Sequence, residues 1–195
     1  SIEVTSLGIQ VHGGMGYIEE TGAAQNFRDA RILAIYEGTT AIQANDLVGR
    51  KTLRDGGVTA SSIAQQISDV ERALSERASP AARAMHRNLQ AARLAFVDVV
   101  DFVLANTRTQ PTRVYAGSVP YLMLAGKLLA GWQLARALLI AEDQLAEGGG
   151  DEPFLRAKIA TARFFAEHVL STVPGMRDAI IGGADSVNGL SVDSF

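Results

Sequence analysis

Met85, Leu89, Ala92, Phe96, Val99 and Val103 step along the chain by four, three, four, three and four residues. Only a helix puts residues so spaced on one side, because 3.6 residues complete each turn. Pro80 suits the first turn of that helix, and "TQPT" at 109–112 lies beyond its end. The pattern therefore predicts one helix of about 28 residues, about 42 Å long. A stripe of that length must be covered by other helices. Ile63, Ile67, Val70 and Leu74 repeat the step before it, and Leu155, Ile159, Ala162, Ala166 and Val169 give a further buried face after it. The fold class that follows is all-α, an antiparallel helical bundle with short connections.

The flanking segments are read in the same way. Val4, Leu7 and Val11 share one face of a first helix, which Gly13 and Gly14 stop. "MGYIEET" reads as a loop, and 22–31 as a short helix with Ala23, Phe27 and Ala30 inward. Thr39 or Thr40 N-caps a helix that runs to about Leu53 and buries Ala41, Ala44 and Val48. "RDGGVTASS" at 54–62 is Gly- and Ser-rich without periodicity, so it is the expected boundary between a domain of residues 1–55 and one of 56–195. Residues 112–147 form one long apolar helix or two, since Pro120 either kinks a helix or starts one. "GGGDEP" is a turn whose acidic residues favour the next helix start. Pro174 opens a short last helix, and "GGADSVNGLSVDSF" reads as a loose tail.

Composition removes several classes of function. The 195 residues carry a formal net charge of −3, which gives no basic excess for nucleic acid or an anionic membrane. The chain has no Cys, so disulfides and thiolate metal sites are excluded and a cytoplasmic location is expected. No apolar run of about 18 residues stands out, so no membrane span is expected. The chain opens on Ser1 and has no signal-peptide pattern, and the expectation is a fragment or a processed product. His12, His86 and His168 have no ligand spacing, so no metal site is expected, and no Ser has a triad pattern around it.

Two short blocks carry candidate chemistry. In "RILAIYEGTT" a single carboxylate, Glu37, stands between the apolar Ile32, Leu33, Ile35 and Tyr36 and a helix start. One reading is a surface Glu favoured by the following helix dipole. The other is a carboxylate at an apolar wall, with a raised pKa suited to proton abstraction and with Gly38 allowing close approach. "QVHGGMGY" at 10–17 either stops a helix or exposes the N–H groups of Gly13 and Gly14 to a phosphate. It is not the strand-associated G-x-G-x-x-G dinucleotide fingerprint.

Taken in order, "QVHGGMGY", "FRDARI" and "YEGT" resemble the C-terminal end of the acyl-CoA dehydrogenase flavoprotein family. That pattern is Q-x-x-G-G-x-G-[YF], then R-D-A-[RK]-I, then Y-E-G-T before a last helix, and it covers residues 1 to about 54. "IQANDLVGRK" and the helical extension resemble the subgroup with an added C-terminal helical domain, which includes long-chain and methylthiopropanoyl-CoA dehydrogenases. The resemblance implies that Glu37 is the base that removes the α-proton of an acyl-CoA, while hydride passes from the β-carbon to N5 of FAD. The Glu37 N–H and a ribityl hydroxyl would hold the thioester oxygen, with Gly38 beside the thioester. Gln10, Gly13 and Gly14 would contact the FAD of a neighbouring subunit, and Thr39 would approach FAD at the helix start. Ala41 stands where the family commonly has Gln.

The family's middle β-barrel has no counterpart here, so the resemblance implies the C-terminal part of a longer enzyme of fatty acid β-oxidation, inactive on its own. Its implied partners are an acyl-CoA substrate, electron-transfer flavoprotein and further copies of itself, as a dimer or tetramer. The extension is expected to serve assembly and to carry no catalytic residue. An acyl-CoA oxidase using oxygen and a non-catalytic helical assembly domain are the alternatives.

Overall fold

The structure is a computed structural model that describes residues 1–187 and 189–194, and among these there is no strand. The chain packs as two compact units, residues 1–43 and 44–195. The first contains α1 (Ile2–Val11), α2 (Gly14–Tyr17), a 3₁₀ turn (Glu19–Thr21) and α3 (Ala23–Ile32). α4 (Thr40–Asp46) crosses from the first unit to the second and widens into a π-helix, Leu47–Leu53. The second unit continues with α5 (Val58–Ser75), α6 (Pro80–Asn106), α7 (Pro111–Tyr115), α8 (Ser118–Ala146), α9 (Glu152–His168), α10 (Val173–Gly182) and α11 (Ala184–Val187).

Local chemistry sets the helix boundaries of the second unit. Ser79 caps α6 by accepting the Ala82 N–H at 2.9 Å, and Pro80 occupies the first turn, where its missing donor is not needed. Asp151 caps α9 through the Phe154 N–H at 3.1 Å. Pro120 lies in the first turn of α8, so it marks a start and no kink. Gly57 opens α5 with φ 77°, and a Cβ there would sit 2.9 Å from Leu104 Cδ1. The dihedral favours glycine, and a side chain there would also push the Leu104 methyl aside.

α6 is the centre of the bundle. α5, α8, α9 and α10 all pack on it, and α8 also packs on α9 and α10. All six stripe residues of α6 are buried, Met85, Leu89, Ala92 and Val99 completely. Tyr121, Leu124, Leu128 and Leu138 from α8 and Leu170 meet them in one core. Two polar contacts lie within this packing. The Arg93 guanidinium donates to both oxygens of Glu71 at 2.8 and 2.9 Å, joining α6 to α5 with Glu71 only 3% exposed. The Thr52 and Tyr121 hydroxyls are 3.0 Å apart and both buried. Burial pushes the Tyr121 hydroxyl above its ordinary pKa, with the Thr52 hydrogen bond opposing.

Several sequence expectations need correction. Val4 and Val11 are 71% and 87% exposed and Leu7 is exposed as well, because residues 1–43 contain no element that covers that face of α1. "MGYIEET" is not a loop but a helical turn followed by a 3₁₀ turn. Phe27 is half-buried and Ala41 is exposed. The helix from Thr40 keeps its apolar residues Ala44 and Val48 buried, but from Leu47 its bonds lengthen to the i+5 pattern, as in Arg54 N–H to Gly49 O at 3.1 Å. The segment at 54–62 is helical from Val58. α8 is long and apolar enough to cross a membrane by length and composition. One side of it fills the protein's own core, while Met123, Leu129 and Ile140 are exposed. The expected tail contains α11 and a 3₁₀ turn at Val192–Ser194; Asn188 and Phe195 lie outside the described residues.

The Glu71–Arg93 pair gives a stability prediction. Arg93→Ala leaves a carboxylate buried without its cation and should destabilise the bundle by about 3 kcal/mol, a typical penalty for half a buried pair. The double variant Glu71→Ala/Arg93→Ala should recover part of that loss in urea denaturation. Additive losses would mean that the two side chains act independently.

Candidate active site

The turn that carries Glu37 begins where α3 ends. The Ile35 and Tyr36 N–H groups both donate to Ile32 O, at 2.9 and 3.2 Å. Glu37 then takes φ 53°, the only positive φ of a non-glycine residue among those described, and Gly38 takes φ 96°. A left-handed residue with a side chain costs about 1 kcal/mol, and such strain collects at functional sites. The conformation is held from the next helix: Gln43 Nε2 donates to Glu37 O at 2.8 Å. Gly38 is favoured by its dihedral, and a Cβ there would lie 3.2 Å from Gln43 Nε2 and 3.3 Å from Ile42 Cγ2, close enough to make those exposed side chains shift. Among the described residues the Glu37 and Gly38 N–H groups donate no backbone hydrogen bond of good geometry. Thr39 directly precedes α4, and its carbonyl accepts the Gln43 N–H at 3.0 Å.

The apolar wall is present but uncovered. Ile32, Leu33, Ile35 and Tyr36 are between 47% and 57% exposed, and Glu37 itself is exposed. The physical reason is size. The first unit buries only Gly16, Ala23, Ala24 and Ala30 among its described residues, and so few small side chains cannot enclose a carboxylate.

The glycine block lies at the junction of α1 and α2. Gln10 is exposed in the last turn of α1, and its carbonyl accepts the Gly13 N–H at 3.0 Å. Gly13 has φ 62° and ψ −144°, a region open essentially to glycine alone. No atom lies within 4 Å of a Cβ built on Gly13 or on Gly14, so the backbone there has an open side. Gly16 is the residue the sequence reading missed: its Cβ would lie 2.2 Å from Ile9 O, so the short helix folds back on α1 only with glycine at that place. The signal was visible as the third glycine of "GGMG". Gln43, which braces the Glu37 carbonyl, gave no signal in periodicity.

The structure thus groups the candidates in two places. Glu37, Gly38 and Thr39 share one turn, and Gln10, Gly13 and Gly14 share another, with no hydrogen bond linking the two groups among the described residues. Ala41 offers no polar side chain at the start of α4. Among the described residues no cluster of His, Asp or Glu is placed to hold a metal ion.

Comparison with known proteins covers nearly the whole chain. Residues 60–191 match the family model described as "Acetyl-CoA dehydrogenase C-terminal like", and residues 1–51 match "Acyl-CoA dehydrogenase, C-terminal domain". The chain is 55% identical over 187 residues to 3-methylmercaptopropionyl-CoA dehydrogenase of Ruegeria pomeroyi, covering 96% of this chain and 32% of that protein. It is 34% identical over 186 residues to a broad-specificity linear acyl-CoA dehydrogenase of Mycobacterium tuberculosis, covering 88% and 29%. A butyryl-CoA dehydrogenase of Syntrophomonas wolfei is 33% identical over 175 residues, covering 88% and 28%. The chain spans about a third of the length of these curated relatives. It belongs to the acyl-CoA dehydrogenase family, and its two matched segments are C-terminal helical domains of that family.

Proposed function

We propose that this chain is the C-terminal part of an FAD-dependent acyl-CoA dehydrogenase and supplies its α-proton base, Glu37. The observation that carries the reading is the strained Glu37–Gly38 turn: among the described residues the one left-handed non-glycine residue is the carboxylate of the Tyr-Glu-Gly-Thr block. The substrate class is an acyl-CoA thioester, in line with the names of the relatives. The domains divide at 55/56, with residues 1–55 serving the reaction and 56–195 serving assembly into a homo-oligomer. A cytoplasmic enzyme is in keeping with a chain that has no Cys.

The chemistry follows from the turn. An α-proton of a thioester becomes removable when hydrogen bonds stabilise the enolate charge that develops on the carbonyl oxygen. The Glu37 N–H, which is not spent on a backbone acceptor, is one such donor. Gly38 takes the φ of 96° that glycine adopts without strain and so keeps the turn in shape beside the thioester. The Cα–H bond breaks, its proton passes to the Glu37 carboxylate, and a Cα=Cβ bond forms as the β-hydrogen leaves as hydride. FAD supplies the hydride acceptor. The residues present fit a flavin: Gly13 and Gly14 leave open space beside their backbone, and the exposed Gln10 amide and Thr39 hydroxyl are hydrogen-bonding groups for it. Electron-transfer flavoprotein is the reoxidant in this reading, and dye reduction without peroxide release distinguishes it from an oxidase.

In the full-length enzyme, Glu37→Gln should retain flavin and acyl-CoA binding while turnover falls by roughly 10² or more, the usual scale for loss of a general base. Near-parental turnover in that variant would remove Glu37 from the mechanism.

The 195-residue chain alone should give a helical circular dichroism spectrum and no bound flavin, because its first unit buries only glycine and alanine. A stoichiometric yellow complex would contradict this and place a complete flavin site within these residues.

A further inference from the structure

The second unit contains a cavity of about 340 Å³ that the proposed reaction does not use. Ile63, Phe96, Tyr121, Ala125, Leu128 and Leu129, from α5, α6 and α8, give it an apolar interior. Its remaining wall is the π-helix, which contributes Leu47, Arg50, Lys51 and Thr52. π-Helical turns are rare and recur at functional sites, because the extra residue per turn redirects side chains. The volume lies within the range of small-molecule sites.

Charged groups line the cavity as well. Arg50 and Asp55 line both this cavity and an adjoining open hollow that also contains Arg54. Arg50 is held by Asp46 through two hydrogen bonds, at 2.6 and 2.8 Å, and Lys51 approaches the same carboxylate at 3.5 Å. The Asp55 carboxylate is engaged in accepting the Thr59 N–H at 2.7 Å. Arg54 is exposed, and among the described residues its guanidinium has no hydrogen-bond or ion-pair partner. Residues 46–55 thus carry three cations, Arg50, Lys51 and Arg54, against two carboxylates, Asp46 and Asp55, and among the described residues the Arg54 guanidinium is the one without a partner.

We infer that this cavity binds a single alkyl-chain carboxylate, a free fatty acid of medium length, with its tail among Ile63, Phe96 and Leu129 and its headgroup reaching Arg54 in the adjoining hollow. An apolar chamber alone would take any greasy molecule; the unpaired guanidinium of Arg54 in the adjoining hollow selects one with an anionic end. The inference goes beyond the dehydrogenase reading and shares no residue with the Glu37 turn.

Isothermal titration of the full-length enzyme with decanoate, below its micelle concentration, tests it, with 1-decanol as the uncharged counterpart. Decanoate should bind one to one at this site and decanol at least about tenfold more weakly, the scale of one charge-assisted hydrogen bond. Arg54→Glu, at an exposed position, should weaken decanoate at least about tenfold by the same reasoning. Leu129→Trp, which fills the chamber from a partly exposed position, should abolish this site, with circular dichroism confirming the fold. Dehydrogenase turnover should be unchanged in both variants, and Glu37→Gln should bind decanoate as the parent does. Parental decanoate binding in Arg54→Glu, or equal binding of decanol and decanoate, would overturn the inference. So would binding of anionic vesicles without binding of decanoate.

Discussion

Burial of the α6 stripe is the constraint from which the second unit follows. Six apolar residues along one side of a 27-residue helix cannot be left in water, and four helices close over them. At about 25 cal/mol per Å² of apolar surface, each large side chain removed from water contributes roughly 1.5–3 kcal/mol. The apolar positions of α5, α8, α9 and α10 are chosen by that demand. Glu71 and Arg93 lie inside the α5–α6 contact and satisfy each other there, so the charge of each is tolerable only while the two helices stay in register.

The first unit obeys a different logic. Its contacts are made by glycine and alanine, which let the backbones of α1, α2 and α3 approach closely, while its large apolar side chains point outward. The Glu37 turn does not depend on a core for its shape. It is held by backbone bonds to Ile32, by the Gln43 amide and by the positive φ that glycine at 38 adopts without strain. What is held in place there is the backbone of the turn, while the Glu37 side chain is exposed. The cavity beside the π-helix differs in kind, since its walls come entirely from the second unit and its charge imbalance is local to residues 46–55.

What the sequence determined by itself was whatever local periodicity and short motifs encode. The 4-3-4 spacing of α5, α6 and α9 fixed which faces are buried, because a helix turns by a constant angle per residue. The glycine block and the Tyr-Glu-Gly-Thr block were legible because each needs special backbone at consecutive positions. Tertiary structure decided the rest. It left Val4, Leu7, Val11 and Ala41 exposed, since periodicity marks a face but does not supply the neighbour that covers it. It required Gly16, because a clash with Ile9 O exists only once α2 has folded back. It also turned the helix after Asp46 into a π-helix and joined Glu71 to Arg93 across 22 positions, since contacts between helices depend on three-dimensional approach, which residue spacing does not encode.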